Sequence, residues 1–246
     1  MIITSLDNAK VSAAAKLADK KYRKSQGKYL IEGERLVRDA ILHGADVEAI
    51  FVRQSDAEKF MFDNAIVVAD KVFSKLTDTV TSQGVVAVVK NKEEAKLAAG
   101  GNCLILDGLQ DPGNVGTLLR TAVACGFTDV YAVDSVDLYL PKVLRSAMSA
   151  HFCIALHECS DLSAVFDALQ PTHKLYACDM GKNNVFSVDF CYPCAVVVGN
   201  EGNGISTIAR NRAEIVSLPM SGGLESLNAA VAGSVVMYQV FSKSIK

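Results

Sequence analysis

Three short stretches hold most of the residues that could do chemistry together. Asp107-Gly-Leu-Gln-Asp-Pro-Gly-Asn114-Val-Gly116 ends one apolar run and leads into a helical segment that carries Arg120. Gly199-Asn200-Glu201-Gly202-Asn203-Gly204 follows a second run. Leu218-Pro219-Met220-Ser221-Gly222-Gly223-Leu224-Glu225-Ser226-Leu227-Asn228 follows a third. Each couples glycines, which let a backbone approach a ligand closely, to amide, carboxylate or hydroxyl side chains. One such loop alone is most often only a turn. Three of them at one sheet edge would make a cradle. The second loop is spaced G-x-x-G-x-G, not the G-x-G-x-x-G of a dinucleotide fold, and no G-x-x-x-x-G-K-[ST] phosphate loop occurs.

The elements around these loops must place them. Cys103–Leu106, Val130–Val133, Ile154–Leu156, Leu175–Cys178, Ala195–Val198 and Ile215–Leu218 are short apolar runs that predict strands. Between them Val115–Cys125, Lys142–Ala150, Leu162–Leu169 and Ile205–Arg210 have helical composition, and Gly126 stops the first. This alternation predicts an α/β fold with a parallel sheet covered on both faces, where ligands bind at the carboxyl ends of the strands. Leu227–Phe241 predicts a closing helix that is apolar nearly all round. Such a helix must be covered on several sides, by its own core or by a partner subunit.

Residues 1–90 read differently. Helical stretches are expected at 13–24, Glu34–His43 (stopped by Gly44), 56–63 and 70–76. Val47–Val52, Ile66–Ala69 and Val85–Val89 predict strands, so this part is a small layered α/β unit. Residues 91–101 are polar, end in Gly100-Gly101 and predict a linker; 102–246 form the second domain. Lys10, Lys16, Lys20, Lys21, Arg23, Lys24 and Lys28 crowd together against Asp19 alone. Two readings stand: a polyanion-binding surface or a solvated helix face.

In this order, the three loops resemble the motifs of the SpoU-type (TrmH-type) RNA ribose 2′-O-methyltransferases of the SPOUT superfamily. Asn114, Gly116, Arg120 and Ala122 match the first motif. Gly199, Glu201 and Gly204 match the second, with Gly202 between. Pro219, Met220, Gly222, Ser226, Leu227 and Asn228 match the third, with Leu218 in place of an isoleucine. The likeness covers about residues 103–241. Two departures stand out: Ala229-Ala230-Val231-Ala232 replaces a V-S-V-A, and Ser149 replaces a glycine. Ser5 to Gly33 and the helix after it are similar, more loosely, to the L30e-like RNA-binding domains that precede such catalytic domains.

The resemblance implies a parallel-sheet SPOUT catalytic domain whose C-terminal segment threads a trefoil knot, behind a small L30e-like α/β domain. It implies S-adenosyl-L-methionine as cofactor, bound by Gly199, Asn200, Glu201, Gly202, Leu218, Met220, Ser226 and Leu227. Arg120, Asn114, Glu201, Ser226 and Asn228 would be the catalytic set. A guanidinium stays protonated far above neutral pH, so Arg120 reads first as an orienting donor and only second as a base. Asn114 reads as a helix cap or as a holder of the reacting ribose. Glu201 reads as the partner of Arg120 or Arg145, or as a group positioning a proton acceptor. Ser226 reads as the N-cap of the closing helix or as a site residue. Lys20, Lys21, Arg23, Lys24, Lys28 and Arg145 would contact RNA phosphates. The implied partners are RNA, ribosomal first and transfer RNA second, and a second copy of the chain in a homodimer.

Composition supports this frame and excludes others. The 246 residues are 50% hydrophobic and 21% charged, enough for a proper core and too apolar for a disordered chain. No run of about 18 apolar residues predicts a membrane span. Seven cysteines, mostly in apolar runs, and an N-terminus without a secretory h-region are expected of a cytoplasmic protein. Cys191-Tyr-Pro-Cys194 has no second pair for zinc and precedes a strand instead of a helix, and the four histidines are scattered, so no metal is expected. Two rival readings are a non-catalytic RNA-binding protein on the same fold and a dinucleotide oxidoreductase. The second lacks its glycine fingerprint.

Overall fold

A computed structural model describes residues 2–79, 81–92, 100–181, 183–221 and 226–245. Gly222 of the third loop and most of the expected linker, 93–99, lie outside the described residues. Contacts divide the chain into two units. One is Met1–Glu93 with Tyr139–Arg145; the other is Glu94–Leu138 with Ser146–Lys246. The grouping of Tyr139–Arg145 differs from an uninterrupted second domain over 102–246.

The first unit runs α1 (Ala9–Lys16), α2 (Lys20–Gln26), β1 (Lys28–Glu32), α3 (Glu34–Leu42), β2 (Val47–Arg53), β3 (Ile66–Val68), α4 (Asp70–Phe73) and β4 (Val85–Lys90). Its sheet has the order β1-β4-β2-β3, with β1 and β2 antiparallel to β4. Val11, Ala14 and Leu17 of the first helical segment pack with Phe51, Phe73 and Val86. The single helix expected over 13–24 is two helices. Asp19 caps the second by accepting from the Tyr22 N–H at 2.8 Å. The guanidinium of Arg23 turns inward and donates to the carbonyls of Leu17 and Ala18 at 2.8 and 2.7 Å. A side chain competing for backbone groups breaks the helix, and composition does not show it. The expected helix over 56–63 is only a 3-10 turn, Gln54–Asp56. There the Asp56 carboxylate is tied to Lys59 and Arg53 and held below the usual carboxylate range, the Lys59 hydrogen bond contributing most.

The second unit runs β5 (Cys103–Asp107), α5 (Pro112–Ala124), β6 (Asp129–Val133), α6 (Pro141–Ala147), α7 (Ala150–Cys153), β7 (Ala155–Cys159), α8 (Leu162–Leu169), β8 (Lys174–Cys178), β9 (Cys194–Gly199), α9 (Thr207–Arg212), β10 (Glu214–Val216) and α10 (Ala229–Ser244). Part of α6 groups with the first unit. The six strands are all parallel, in the order β10-β8-β9-β5-β6-β7. β5 and β9 are buried at every residue, as central strands of a sheet covered on both faces must be. From β5 the chain winds one way through β6 and β7, then crosses to build the other half. The order therefore reverses between β5 and β9, and ligands of open α/β sheets bind outside the strand ends at such a point.

Helix α10 returns from the edge strand to lie on β9 and α5. Gly233 permits the approach: a Cβ there would meet Leu118 Cδ2 and Val198 Cγ2 at 2.7 Å. A mid-helix glycine costs about 1 kcal/mol against alanine, which this packing offsets.

Candidate active site

The three loops leave β5, β9 and β10 at their carboxyl ends and meet around Glu201. Its Oε2 accepts from the Gln110 N–H at 3.1 Å, and its Oε1 accepts from the Asp111 N–H at 3.0 Å and from Asn114 Nδ2 at 3.1 Å. With Nδ2 on a carboxylate, Asn114 turns its Oδ1 the other way, where it accepts from Asn228 Nδ2 at 2.9 Å. Asn228 Oδ1 in turn accepts from the N–H groups of Ala230 and Val231 and so caps α10. One chain of hydrogen bonds, Asn228–Asn114–Glu201, thus joins residues from all three motifs.

This corrects several expectations. Asn114 is not the cap of α5: Asp111 is, accepting from the Asn114 N–H at 2.9 Å. Ser226 is not the cap of α10, which begins two residues later than expected behind Asn228. Glu201 binds neither Arg120 nor Arg145. The electrostatics follow from the donors. Burial raises the Glu201 carboxyl, but hydrogen bonds from Asn114, Asp111 and Gln110 outweigh it, and the net shift is below the ordinary 4.5. A lowered folded-state value means that its contribution to loop order is present above the unfolded value and is lost as pH falls through the folded one. Cofactor affinity should hold steady from neutral pH down to about 5 and decline only in more acid solution. Glu201→Gln should weaken binding at neutral pH by roughly 1–3 kcal/mol. It should also remove that acid limb, as calorimetric titrations at a series of pH values would show.

A crevice of about 350 Å³ opens beside this network, within the range of roughly 300–1,000 Å³ for small-molecule sites. Gly199, Asn200, Glu201, Gly202, Leu218, Met220, Ser226 and Leu227 all line it. The volume and lining suit an adenosylated cofactor. Val198, Leu218, Met220, Ala232 and Val236 supply apolar wall for a base, and the Gly199–Gly204 loop brings backbone close. A Cβ on Gly199 would run into the backbone of Gly204 and Ile205. Asn200 braces the loop, its Nδ2 donating to Gly108 O at 2.7 Å and its Oδ1 accepting from the Gly202 and Asn203 N–H groups.

Arg120 is not in the crevice. It is exposed on α5, beside Thr117, Thr121, Ser146 and Tyr238, in a separate hollow. It lies about 9 Å further along the helix than Asn114, six residues at 1.5 Å each. Gly116 brings α5 against Ser146, where a Cβ would collide.

Sequence reasoning missed two side chains. Asp179, just after β8, lines the crevice. Gln110 bridges loops, its Nε2 donating to Gly108 O and Asp134 O at 3.2 and 2.8 Å. Asp179 belongs to no glycine pattern, and Gln110, although inside the first glycine loop, is not one of its motif positions. Cys178 also lines the crevice, but burial pushes its thiol up to about 12, so it is not a nucleophile near neutrality.

The RNA-binding set divides. Lys20, Lys21 and Lys24 are exposed on α2. Arg23 is buried on its two carbonyls, which removes it from the set, since a guanidinium already committed inside cannot reach a phosphate. Lys28 pairs with Glu48 at 2.5 Å and Arg145 with Asp78 at 2.8 Å. Among the described residues, no group of His, Cys, Asp and Glu is placed to hold a metal ion. No helix among them is long and apolar enough to cross a membrane.

A parallel sheet with a glycine cradle at its reversal point, closed by an Asn–Asn–Glu bridge, is the architecture of an α/β protein with a ligand site at its switch point. Residues 101–238 match the SpoU rRNA Methylase family, and residues 8–87 match an MRM3-like substrate binding domain. The chain belongs to the SpoU rRNA methylase family: by class it is an RNA ribose 2′-O-methyltransferase, and S-adenosylmethionine is the methyl donor of that class. It is 33% identical to the 23S rRNA (guanosine(2553)-2′-O)-methyltransferase RlmP of Bacillus subtilis, over 97% of this chain and 98% of that one. It is 28% identical to the mitochondrial rRNA methyltransferase 3 of Mus musculus, over 89% of this chain and 68% of that one. Among solved structures, it resembles the SpoU methyltransferase AviRb of Streptomyces viridochromogenes in complex with AdoMet, with TM-score 0.86 and 25% identity, covering 97% of this chain and 99% of that one. It also resembles an RNA 2′-O ribose methyltransferase with TM-score 0.81 and 27% identity, covering the whole of both chains.

Proposed function

We propose that this chain methylates a ribose 2′-hydroxyl of ribosomal RNA, with S-adenosylmethionine held in the crevice between the β9 and β10 loops. Residues 1–90 serve as the RNA-binding unit, 91–101 as the linker and 102–246 as the catalytic domain. The observation that carries this reading is the Asn228–Asn114–Glu201 bridge, which gathers three loops around one crevice at the reversal point of the sheet. The relatives from Bacillus subtilis and Mus musculus are rRNA methyltransferases by name, which favours rRNA over tRNA. The test is transfer of a labelled methyl group to each RNA. Label in rRNA that resists alkaline cleavage, where a blocked 2′-oxygen cannot attack its phosphate, is the expected result. Label confined to tRNA would replace the substrate, and label on a base would end the reading.

When bound, S-adenosylmethionine supplies a methyl group already activated on a sulfonium. The protein must hold a ribose hydroxyl in line, help its proton leave and keep water out. Alignment of this kind is worth roughly 7–11 kcal/mol. The Glu201 bridge fixes the Asn114 side chain so that the cradle is rigid before RNA arrives. Arg120 stays protonated and orients a phosphate or the 2′-oxygen.

Arg120 opens onto a different face from the crevice, beside Tyr238 of α10. Helix α10 also leaves two large apolar side chains, Val231 and Tyr238, half exposed. Both facts support a homodimer in which a second copy covers α10 and brings its own crevice towards Arg120. The return of α10 from the β10 edge to the middle of the sheet suits a C-terminal trefoil knot. All seven cysteines are free thiols, which suits the reducing cytoplasm.

The basic surface of the first unit has its own test. Replacing Lys20, Lys21 and Lys24 together by alanine should weaken RNA binding across sequences. It should also flatten the dependence of log K on log salt by roughly 0.7–0.9 for each phosphate left without its lysine. Filter binding at several salt concentrations reads both. An unchanged slope would return these lysines to a solvated helix face.

A further inference from the structure

The carboxylate of Asp179 has no part in the bridge that closes the three loops. It follows β8 directly, at the same sheet edge as the loops after β9 and β10, and it lines the crevice. Its side chain is only 16% exposed, and the Arg210 guanidinium of α9 pairs with it. Oδ2 is buried towards that partner, while Oδ1 accepts from the Met180 N–H at 2.7 Å. A carboxylate oxygen has room for a second donor, so Oδ1 is the oxygen available to a ligand.

Most other side-chain acceptors around the crevice are taken up within the loops, while Asn203 and Ser226, also on its lining, are exposed to water. Glu201 turns to the first loop, its Oε1 taking two donors, Asp111 and Asn114, and its Oε2 taking Gln110. Asn200 Oδ1 takes two backbone N–H groups, and Ser217 Oγ turns to the carbonyls of Gly181 and Asn183. An adenosylated ligand brings two vicinal ribose hydroxyls, both donors. Burying a donor without an acceptor is costly. Dinucleotide folds meet the same need with an acidic residue on the ribose, in a different sheet.

We propose that Asp179 Oδ1 accepts a hydrogen bond from a ribose hydroxyl of the bound cofactor and so selects a ribonucleoside. This rests on the crevice being the S-adenosylmethionine site. Arg210, on the outer side, holds the carboxylate in place without touching the ligand.

The experiment is calorimetric titration with S-adenosylhomocysteine and with its 2′-deoxy and 3′-deoxy analogues. Wild-type protein should bind the parent and lose roughly 10- to 100-fold on one deoxy analogue. Asp179→Asn should weaken the parent by a similar factor but lose most of that discrimination. Arg210→Gln, which removes the ion pair and leaves the carboxylate, should keep the discrimination. A structural role alone would have both variants weaken all three ligands in parallel, and that result overturns the proposal. So does a wild-type protein that binds the parent and both analogues equally, whatever becomes of the variants. Failure of the wild-type protein to bind the parent removes the cofactor reading itself, and the proposal with it.

Discussion

Arg120→Ala is expected to lower methyl transfer by roughly 10²–10³-fold, the usual cost of removing one preorganised donor from a reacting centre. The substitution should leave the cofactor site alone. Arg120 does not line the crevice, it is exposed, and among the described residues it makes no hydrogen bond or ion pair. Alanine is also the best helix former, so α5 keeps its shape. Cofactor affinity should therefore stay within about twofold, the scatter of ordinary surface substitutions. Arg120→Lys keeps the charge but not the planar fork, and should recover only part of the rate. Single-turnover methyl transfer to rRNA, with calorimetry on the same preparations, separates the two quantities. Equal losses in rate and in cofactor binding would mean that Arg120 supports the crevice after all.

The opposite signature is expected of Gly199→Ala. At this position the new Cβ meets backbone, the carbonyl carbon of Gly204 and the nitrogen of Ile205, which cannot swing aside as a side chain would. The loop there is closed by two bonds, Asn200 N–H to Gly204 O and Gly204 N–H to Asn200 O, both 2.9 Å. Relieving the overlap must open that bridge and move Glu201 away from Asn114. Overpacking costs roughly 1–3 kcal/mol in well-packed cores, and the cradle is lost with it. Cofactor affinity should fall by about 100-fold or more, about 2.8 kcal/mol, with a lower unfolding temperature. Gly202→Ala is the control. Its Cβ would lie 3.6 Å from Asn200 Oδ1, an ordinary contact, so stability should hardly change. Calorimetry and thermal unfolding of both variants decide the matter. A Gly199→Ala protein that binds as wild type would show that the loop is free to relax.

These expectations draw unequally on sequence and structure. Apolar runs bounded by turns placed the strands of the second unit to within a few residues, because a strand buried on both faces must be apolar along its length. The three loops could be read as one site because glycine, amide and carboxylate recur after three such strands. The first unit was less legible. Arg23 looked like one more cation in a basic run, and the run looked like one helix. The break at Asp19 and the inward turn of the guanidinium depend on which backbone carbonyls happen to lie within reach.

What the sequence determined by itself is the class of fold, the order along the chain of the second unit's strands and most of the residue types at the crevice, since these follow from local periodicity and turn chemistry. The tertiary structure decided the partners. Asn114, Glu201 and Asn228 are separated by 87 and 27 residues along the chain. Only the reversal of strand order between β5 and β9, with α10 laid back across them, makes a single hydrogen-bonded bridge of the three. The same geometry turned Arg120 to another face and brought Asp179 to the crevice. Neither is written in spacing, because a side chain's neighbours across a sheet are set by strand order and packing and leave no local periodic trace.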